Sequence, residues 1–314
     1  MTTPDDSGDR SAWAPPPYDR REQRSTVWIT VVLFAGFMAL MLVVAALVVG
    51  GLREAKSAGA VQTPPSAAKP VPSSTTPQQA SEPARKYETA NNPLVAPGIT
   101  LDGVTCALPK LGNTQEKLEL FYNALVPCLG QAWNPALGKA KEPTTSVLLT
   151  AAETKDTSCG SMPPAAEASA MYCPSSTTIH APWKRQVDGG VDLTWQLFLF
   201  AHEYAHHVQY ESGIMTRHDR DVVDLGDDRP KALELGRRLE LQADCFSGLF
   251  LAQAAGRGSI SKASIAPIGG PGFNPENSET HGSTKNAALW QKRGLKGKDT
   301  SACNTFAAPA AEVS

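Results

Sequence analysis

Residues 27–49 form an almost uninterrupted apolar run, relieved only by Thr30 and Gly36. At about 1.5 Å rise per residue, a helix of that length covers a hydrocarbon core of roughly 30 Å. A single transmembrane helix is therefore expected within residues 25–52, and it partitions everything else. A signal peptide usually has an apolar region of about 7–15 residues, shorter than this one, although Ala58-Gly59-Ala60 keeps cleavage open as an alternative. Trp28 suits a membrane interface. Arg20, Arg21 and Arg24 precede the run, with Arg10 further out, while only Arg53 and Lys56 follow closely. That excess favours a cytoplasmic N-terminus, because cations are retained on the cytoplasmic side. The chain is thus expected as a single-pass plasma membrane protein with its larger part extracytoplasmic.

The flanks of the run cannot build a core. Residues 1–24 are polar, include Pro15-Pro16-Pro17, and read as a disordered cytoplasmic tail. Residues 53–95 are rich in Ala, Pro, Ser, Thr and Gln and read as an extended stalk. What remains is one domain of ordinary size over 96–308, with 309–314 as a short tail. A net charge of -2 offers no basic excess to neutralise phosphates, so no nucleic-acid partner is expected.

Cysteine placement is a check on that topology. All six cysteines, Cys106, Cys128, Cys159, Cys173, Cys245 and Cys303, follow the apolar run. An even set on one side suits an oxidising compartment and up to three disulfides. Fifteen pairings are open. Cys159 with Cys173 is favoured because the two bracket one short loop, then Cys106 with Cys128, which leaves Cys245 with Cys303. The absence of a C-x-x-C spacing argues against a zinc-thiolate site.

Helical periodicity dominates the domain. Leu118, Phe121, Leu125 and Cys128 share a face over residues 118–129. Short strands are expected at 146–150 and at 176–180, the latter at a sheet edge because it is brief and Pro-flanked. Asp192 or Thr194 can cap a helix that carries the stripe Leu197, Ala201, Tyr204 and Val208 and stops at Gly213. Residues 214–229 are polar and read as a loop. A second helix begins near Asp227 or Asp228, has Pro230 in its first turn and ends near Gly256. Loops follow to Pro275, and a last helix runs over 283–293, closed by Gly294.

The first of the two long helices contains His202-Glu203-Tyr204-Ala205-His206-His207-Val208-Gln209, an H-E-x-x-H sequence. Positions four apart lie on one helical face, so His202 and His206 can ligate one metal ion. Glu203 then sits beside the open coordination position, the arrangement zinc hydrolysis needs. A catalytic zinc usually takes three protein ligands. Glu240 on the second helix can supply the third, with Glu234 and Glu211 as rivals. Asp244, four residues on, can accept the free ring N–H of a ligand histidine. His207 reads as a packing or hydrogen-bonding residue.

His202–Gln209 followed by Arg-Arg-Leu-Glu-Leu-Gln-Ala-Asp-Cys-Phe-Ser-Gly at 237–248 resembles the neutral zinc metallopeptidases of bacteria, and more broadly the gluzincins. Cys159-Gly160, Tyr172-Cys173-Pro174, Thr280-His281-Gly282-Ser283 and Trp290 carry the likeness across residues 95–305. The resemblance implies an α+β fold, a mostly helical zincin-like domain with a short sheet over the metal helix. It implies His202, His206 and Glu240 as ligands of one zinc ion, Glu203 as general base, Asp244 behind a ligand, and a Cys159–Cys173 bridge near the substrate cleft. Asn286 and Ala287 depart from the Gln and Arg that the family tends to carry there.

The expected activity is hydrolysis of peptide bonds in a protein or peptide substrate. Zinc makes water acidic and polarises the carbonyl, and Glu203 moves the proton. The oxyanion needs a further donor; His281, just before a helix N-terminus, is a candidate, as are Tyr172 and Tyr210. The alternative from another class is a catalytically inactive, zinc-stabilised binding or scaffolding ectodomain.

Overall fold

The computed structural model describes residues 89–138, 144–146, 156–188, 190–273 and 277–314. All fall within Gln79–Ser314, the second of two units into which the chain divides. The expected cytoplasmic tail, membrane span and most of the stalk lie outside the described residues. Among the described residues no helix is long and apolar enough to cross a membrane.

The unit is mostly helical, with two small sheets. Helix α1 (Gln115–Leu137) begins where Thr114 accepts a hydrogen bond from the Lys117 N–H, satisfying one of the orphan donors of a first turn. It runs longer than the periodic stretch 118–129 suggested and contains Pro127 and Pro135. Strands β1 (Thr144–Ser146), β4 (Met171–Cys173) and β5 (Thr178–His180) form one sheet in the order β1-β5-β4. β5 pairs in parallel with β1, Ile179 opposite Thr145, and antiparallel with β4, Ile179 opposite Tyr172. The strand at 176–180, expected at an edge, is therefore the centre of its sheet. Ile179, fully buried, explains why: brevity and neighbouring prolines set a strand's length, whereas burial sets its place. Strands β2 (Asp156–Thr157) and β3 (Gly160–Ser161) make a separate hairpin.

A short helix α2 (Trp183–Val187) leads to α3 (Leu193–Glu211), capped by the Asp192 side chain on the Trp195 N–H. Apart from Trp195, every residue of α3 from Thr194 to Gln209 is buried. α1 covers one side of α3. The Tyr122 ring stacks on Phe200 with centroids 4.5 Å apart, and the Tyr122 hydroxyl donates to Gln196 Oε1. Gly213 takes φ 79° and ends α3, as its lack of a Cβ allows.

The segment expected as a loop after Gly213 is instead α4 (Ile214–Asp224), a helix of strongly one-sided polarity. Ile214 is its one buried residue, and Arg217 pairs with Asp221 at 2.6 Å one turn on. Polar composition hid it: the helix is one-sided, but with a single buried residue its pattern is not a stripe of apolar side chains.

Helix α5 (Arg229–Ala254) starts at the Asp228 cap with Pro in its first turn and buries its second half almost completely. A one-turn helix α6 (Lys262–Ile265) interrupts the expected loops. The last helix, α7 (Thr284–Lys296), is capped by Ser283 and runs through Gly294 rather than stopping there. The reason is contact. A Cβ on Gly294 would lie 2.0 Å from the Cys245 carbonyl oxygen, and one on Gly248 would lie 2.7 Å from that of Gln291. Two glycines thus let α5 and α7 touch backbone to backbone, and Gly294 serves packing rather than termination.

Three disulfides close this unit: Cys106–Cys128, Cys159–Cys173 and Cys245–Cys303. These are the pairs favoured from spacing. Residues 309–314, expected to trail as a tail, instead pack onto α5 and α7. Val313 is fully buried, the Trp290 indole donates to Glu312 O at 2.8 Å, and Arg237 Nε donates to Val313 O at 2.8 Å. Asn286 and Ala287 are both buried here, and Asn286 Nδ2 donates to Ser314 O at 2.7 Å. Asn286 thus holds the C-terminal segment.

Candidate metal centre

α3 and α5 cross so that the two motif histidines face Glu240. His202 Nε2 lies 3.2 Å from Glu240 Oε2, His206 Nε2 lies 3.3 Å from the same oxygen, and the two Nε2 atoms are 3.2 Å apart. The opposite ring nitrogens are committed elsewhere. His202 Nδ1 donates to Asp244 Oδ1 at 2.9 Å, and His206 Nδ1 donates to Gln209 Oε1 at 2.8 Å. The Gln209 amide is itself oriented, since its Nε2 donates to Leu239 O at 2.8 Å and Gln242 Oε1 at 3.1 Å. Gln291, reaching in from α7, donates to Asp244 Oδ2 at 3.2 Å.

With both Nδ1 atoms protonated toward acceptors, both Nε2 atoms present lone pairs. Two lone pairs and a carboxylate oxygen therefore converge on one point, an arrangement that repels itself unless a cation lies between. The spacing fits a tetrahedral zinc. Bonds of about 2.0–2.1 Å imply ligand-to-ligand edges of about 3.3 Å, and the three edges here are 3.2, 3.2 and 3.3 Å. The donor set, two imidazoles and a carboxylate, is one that zinc takes in catalytic sites.

Electrostatics say the same. Burial alone would push the His202 pKa down, but the Asp244 and Glu240 carboxylates outweigh it and hold it well above the usual imidazole value. Burial would likewise raise Glu240, yet His206, His202 and His281 bring it well below the ordinary carboxylate range. The site attracts positive charge, and protons take it up where no metal does.

Glu203 is buried one position round from His202, and its Oε2 accepts the backbone N–H of Tyr172 at 2.8 Å. Edge strand β4 thereby fixes the rotation of this carboxylate. The Tyr172 hydroxyl, a candidate oxyanion donor from sequence, is engaged with His207 Nδ1 at 3.0 Å. Burial first, then the charges of Glu211 and Tyr210, keep its proton in place far above neutral pH. His207 is thus a fully buried bonding partner of the sheet. Tyr210 is part-exposed at the end of α3.

His281 reaches the same centre. Its Nε2 lies 3.2 Å from Glu240 Oε2, its side chain is half exposed, and the hydrogen bond to Glu240 raises its pKa. Ligand atoms of His202, Glu240 and His281 all lie within 4.8 Å of one another. The rivals to Glu240 are elsewhere: Glu234 pairs with Arg238 at 2.7 Å, and Glu211 is exposed. An aromatic wall adjoins His202, with Phe198 centred 6.1 Å from its ring and Phe273 packed edge-on against Phe198 at 5.1 Å.

Sequence reasoning missed Gln209 and Gln291. Gln209 could have been found, because it lies three residues after His206 on the same face of a buried helix, where an unpartnered amide is costly. Gln291 carries no such signal, since only the α5–α7 contact brings it near Asp244.

Comparison with known proteins agrees with this geometry. The chain is 29% identical over 164 residues to the protein named "Uncharacterized protein YpfJ" of Escherichia coli strain K12, covering 43% of this chain and 53% of that one. The protein of the same name from Escherichia coli O6:H1 strain CFT073 matches to the same extent. The chain thus spans about half the length of the curated relatives it matches. No solved structure matches. The sequence profile of the family described as "Putative neutral zinc metallopeptidase" matches residues 111–267, which include α3, its histidines, Glu240 and Asp244. With half of its length so matched, the chain belongs to that family of zinc metallopeptidases.

Proposed function

We propose that this protein is a membrane-anchored zinc metalloendopeptidase that hydrolyses peptide bonds in a protein or peptide substrate. The observation that carries the reading is the convergence of His202, His206 and Glu240 on one point with Glu203 buried beside them. His202, His206 and Glu240 are the proposed ligands of a single zinc ion. When bound, zinc supplies a Lewis acid that activates water and polarises a carbonyl.

The rest is the work of the side chains. Asp244 and Gln209 keep the Nδ1 protons on His202 and His206, so that both Nε2 lone pairs face the centre. The Tyr172 N–H holds Glu203 Oε2. That leaves Glu203 Oε1 to take a proton from the attacking water and return it to the leaving amine. His281 Nε2, half exposed beside Glu240, is the proposed donor to the developing oxyanion.

Anchoring rests on residues 25–52 of the sequence. An extracytoplasmic position for the domain is supported by three disulfides, all on one side of that run. The alternative, an inactive zinc-stabilised binding domain, leaves the buried and oriented Glu203 without a task.

The test is peptide release from a peptide library by zinc-loaded wild type and by Glu203→Gln. Removal of the general base is expected to lower cleavage by at least about a hundredfold while zinc content stays the same. Equal cleavage by both would overturn the assignment of Glu203, and background cleavage by both would favour the binding domain.

A further inference from the structure

We propose that Arg237 is a positioning residue for His281: its guanidinium fastens the turn that carries His281 to α5 and to residues 309–314, and so sets where the imidazole meets the developing oxyanion. The proposal rests on the reading of this protein as a zinc peptidase with His281 as oxyanion donor, and it adds a residue that stands outside the metal centre.

The need for an anchor comes first. His281 is half exposed, and its Nε2 lies 3.2 Å from Glu240 Oε2. That bond cannot hold the ring during the reaction, because the same N–H has to turn to the oxyanion. The Thr280 hydroxyl, 2.9 Å from Nδ1, belongs to the same turn and moves with it. Two backbone bonds, Ser278 N to Gly282 O at 3.0 Å and Gly282 N to Ser278 O at 2.9 Å, close the turn on itself. They fix its shape and not its place.

Arg237 supplies the place. It lies three residues before Glu240, on the same face of α5. Its Nη1 donates to Glu279 O at 3.0 Å, two residues before His281, and its Nε donates to Val313 O at 2.8 Å. One planar fork thus holds two carbonyls in a fixed relation. The second carbonyl is itself secured, since Val313 is fully buried and the Trp290 indole donates to Glu312 O at 2.8 Å. The stem of Arg237 contributes too. A Cβ on Gly282 would lie 3.6 Å from Arg237 Cδ and 3.5 Å from Leu241 Cδ1, so the turn rests on aliphatic parts of α5 side chains. The ion pair on the other side of the turn, Arg229 with the Glu279 carboxylate at 3.0 Å, has side chains 75% and 76% exposed. Pairs of that kind contribute little, which leaves Arg237 as the stronger tie.

The test is a double-mutant cycle on the zinc-loaded full chain, with the best-cleaved peptide of a library as an internally quenched substrate. His281→Ala is expected to lower kcat by about a hundredfold or more, and Arg237→Ala by at least about tenfold. Both should keep the wild-type KM and zinc content. The double variant is expected to be no slower than His281→Ala alone, because Arg237 acts through a ring that is already gone. Arg229→Ala is expected to keep the wild-type kcat. Hydrogen exchange followed by mass spectrometry reads the turn without catalysis: the Ser278 and Gly282 amides should exchange faster in Arg237→Ala than in wild type. If Arg237→Ala does not fold, Arg237→Lys takes its place in the same cycle. It keeps the stem and the charge but not the fork, and an intermediate loss is expected. Losses that multiply in the double variant, or an Arg237 variant with wild-type kcat or wild-type exchange in the turn, would overturn the proposal and leave the peptidase reading standing. Zinc-loaded wild type that cleaves no peptide would overturn both.

Discussion

The residues that hold the centre differ from those that aim it, and the second group is testable separately. Asp244 and Gln209 touch no part of the space where a metal would sit, yet each fixes which nitrogen of its histidine carries the proton. Asp244→Asn can offer its amide N–H to His202 Nδ1, which forces the proton toward Nε2 and blocks ligation. Gln209→Leu leaves His206 Nδ1 without its acceptor. Each is expected to lower zinc affinity by about 10–100-fold, read by competition with a chromogenic chelator. Affinity within a factor of two of wild type in both would show that these contacts do not set the tautomers.

At this scale the sequence was most legible where chemistry imposes spacing. His202, His206 and Glu203 follow from a helical repeat, and Glu240 and Asp244 from a second one four residues apart. His281 was visible only as a histidine near a helix start, because its distance to Glu240 depends on a turn whose conformation no periodicity encodes. The orientation of Glu203 by Tyr172 N–H was invisible for a related reason. A backbone donor has no residue signature, and only the docking of β4 on α3 supplies it.

Helices were read well where an apolar face is wide and poorly where it is narrow. α3 and α5 bury long stretches and announce themselves, whereas α4 buries a single residue and reads as polar chain. Gly294 was misread in the other direction, as a stop, because glycine serves both termination and close approach. The pairing of α5 with α7 gives that residue a measurable role. Gly294→Ala places a Cβ 2.0 Å from Cys245 O, in backbone that cannot retreat without moving α7. Overpacking of this kind costs about 1–3 kcal/mol, which lowers Tm by roughly 2–12 °C in a domain of this size. Thermal unfolding followed by circular dichroism reads it, and an unchanged Tm would mean that the two helices can separate freely. Because Gln291 rides on α7, a displaced helix also loosens the bond to Asp244, so zinc affinity should fall together with Tm.

At the scale of the molecule, one centre ties together elements distant in the chain. Helix α3 with its two motif histidines, the Glu240 helix α5 and the turn before α7 meet at it, and the Cys245–Cys303 bridge fastens the end of the chain to α5. Gln242 connects these regions, accepting from Gln209 on one side and donating to Cys303 O at 3.1 Å on the other. The packing of residues 309–314 belongs to this scale too, and it was unreadable locally because small residues there are held by Arg237, Asn286 and Trp290 from other elements. A zinc ion ligated from both α3 and α5 should be lost when either contribution is removed, even though the remaining fold is held by apolar packing and three disulfides.

The most direct measurement is therefore the zinc content of the purified full chain by elemental analysis, for wild type and for Glu240→Ala after dialysis against a weak chelator. The predicted result is one zinc per wild-type chain and well under half that in Glu240→Ala, with far-ultraviolet circular dichroism unchanged. Wild type free of zinc, or a Glu240→Ala variant that keeps a full equivalent, would contradict a centre built from His202, His206 and Glu240.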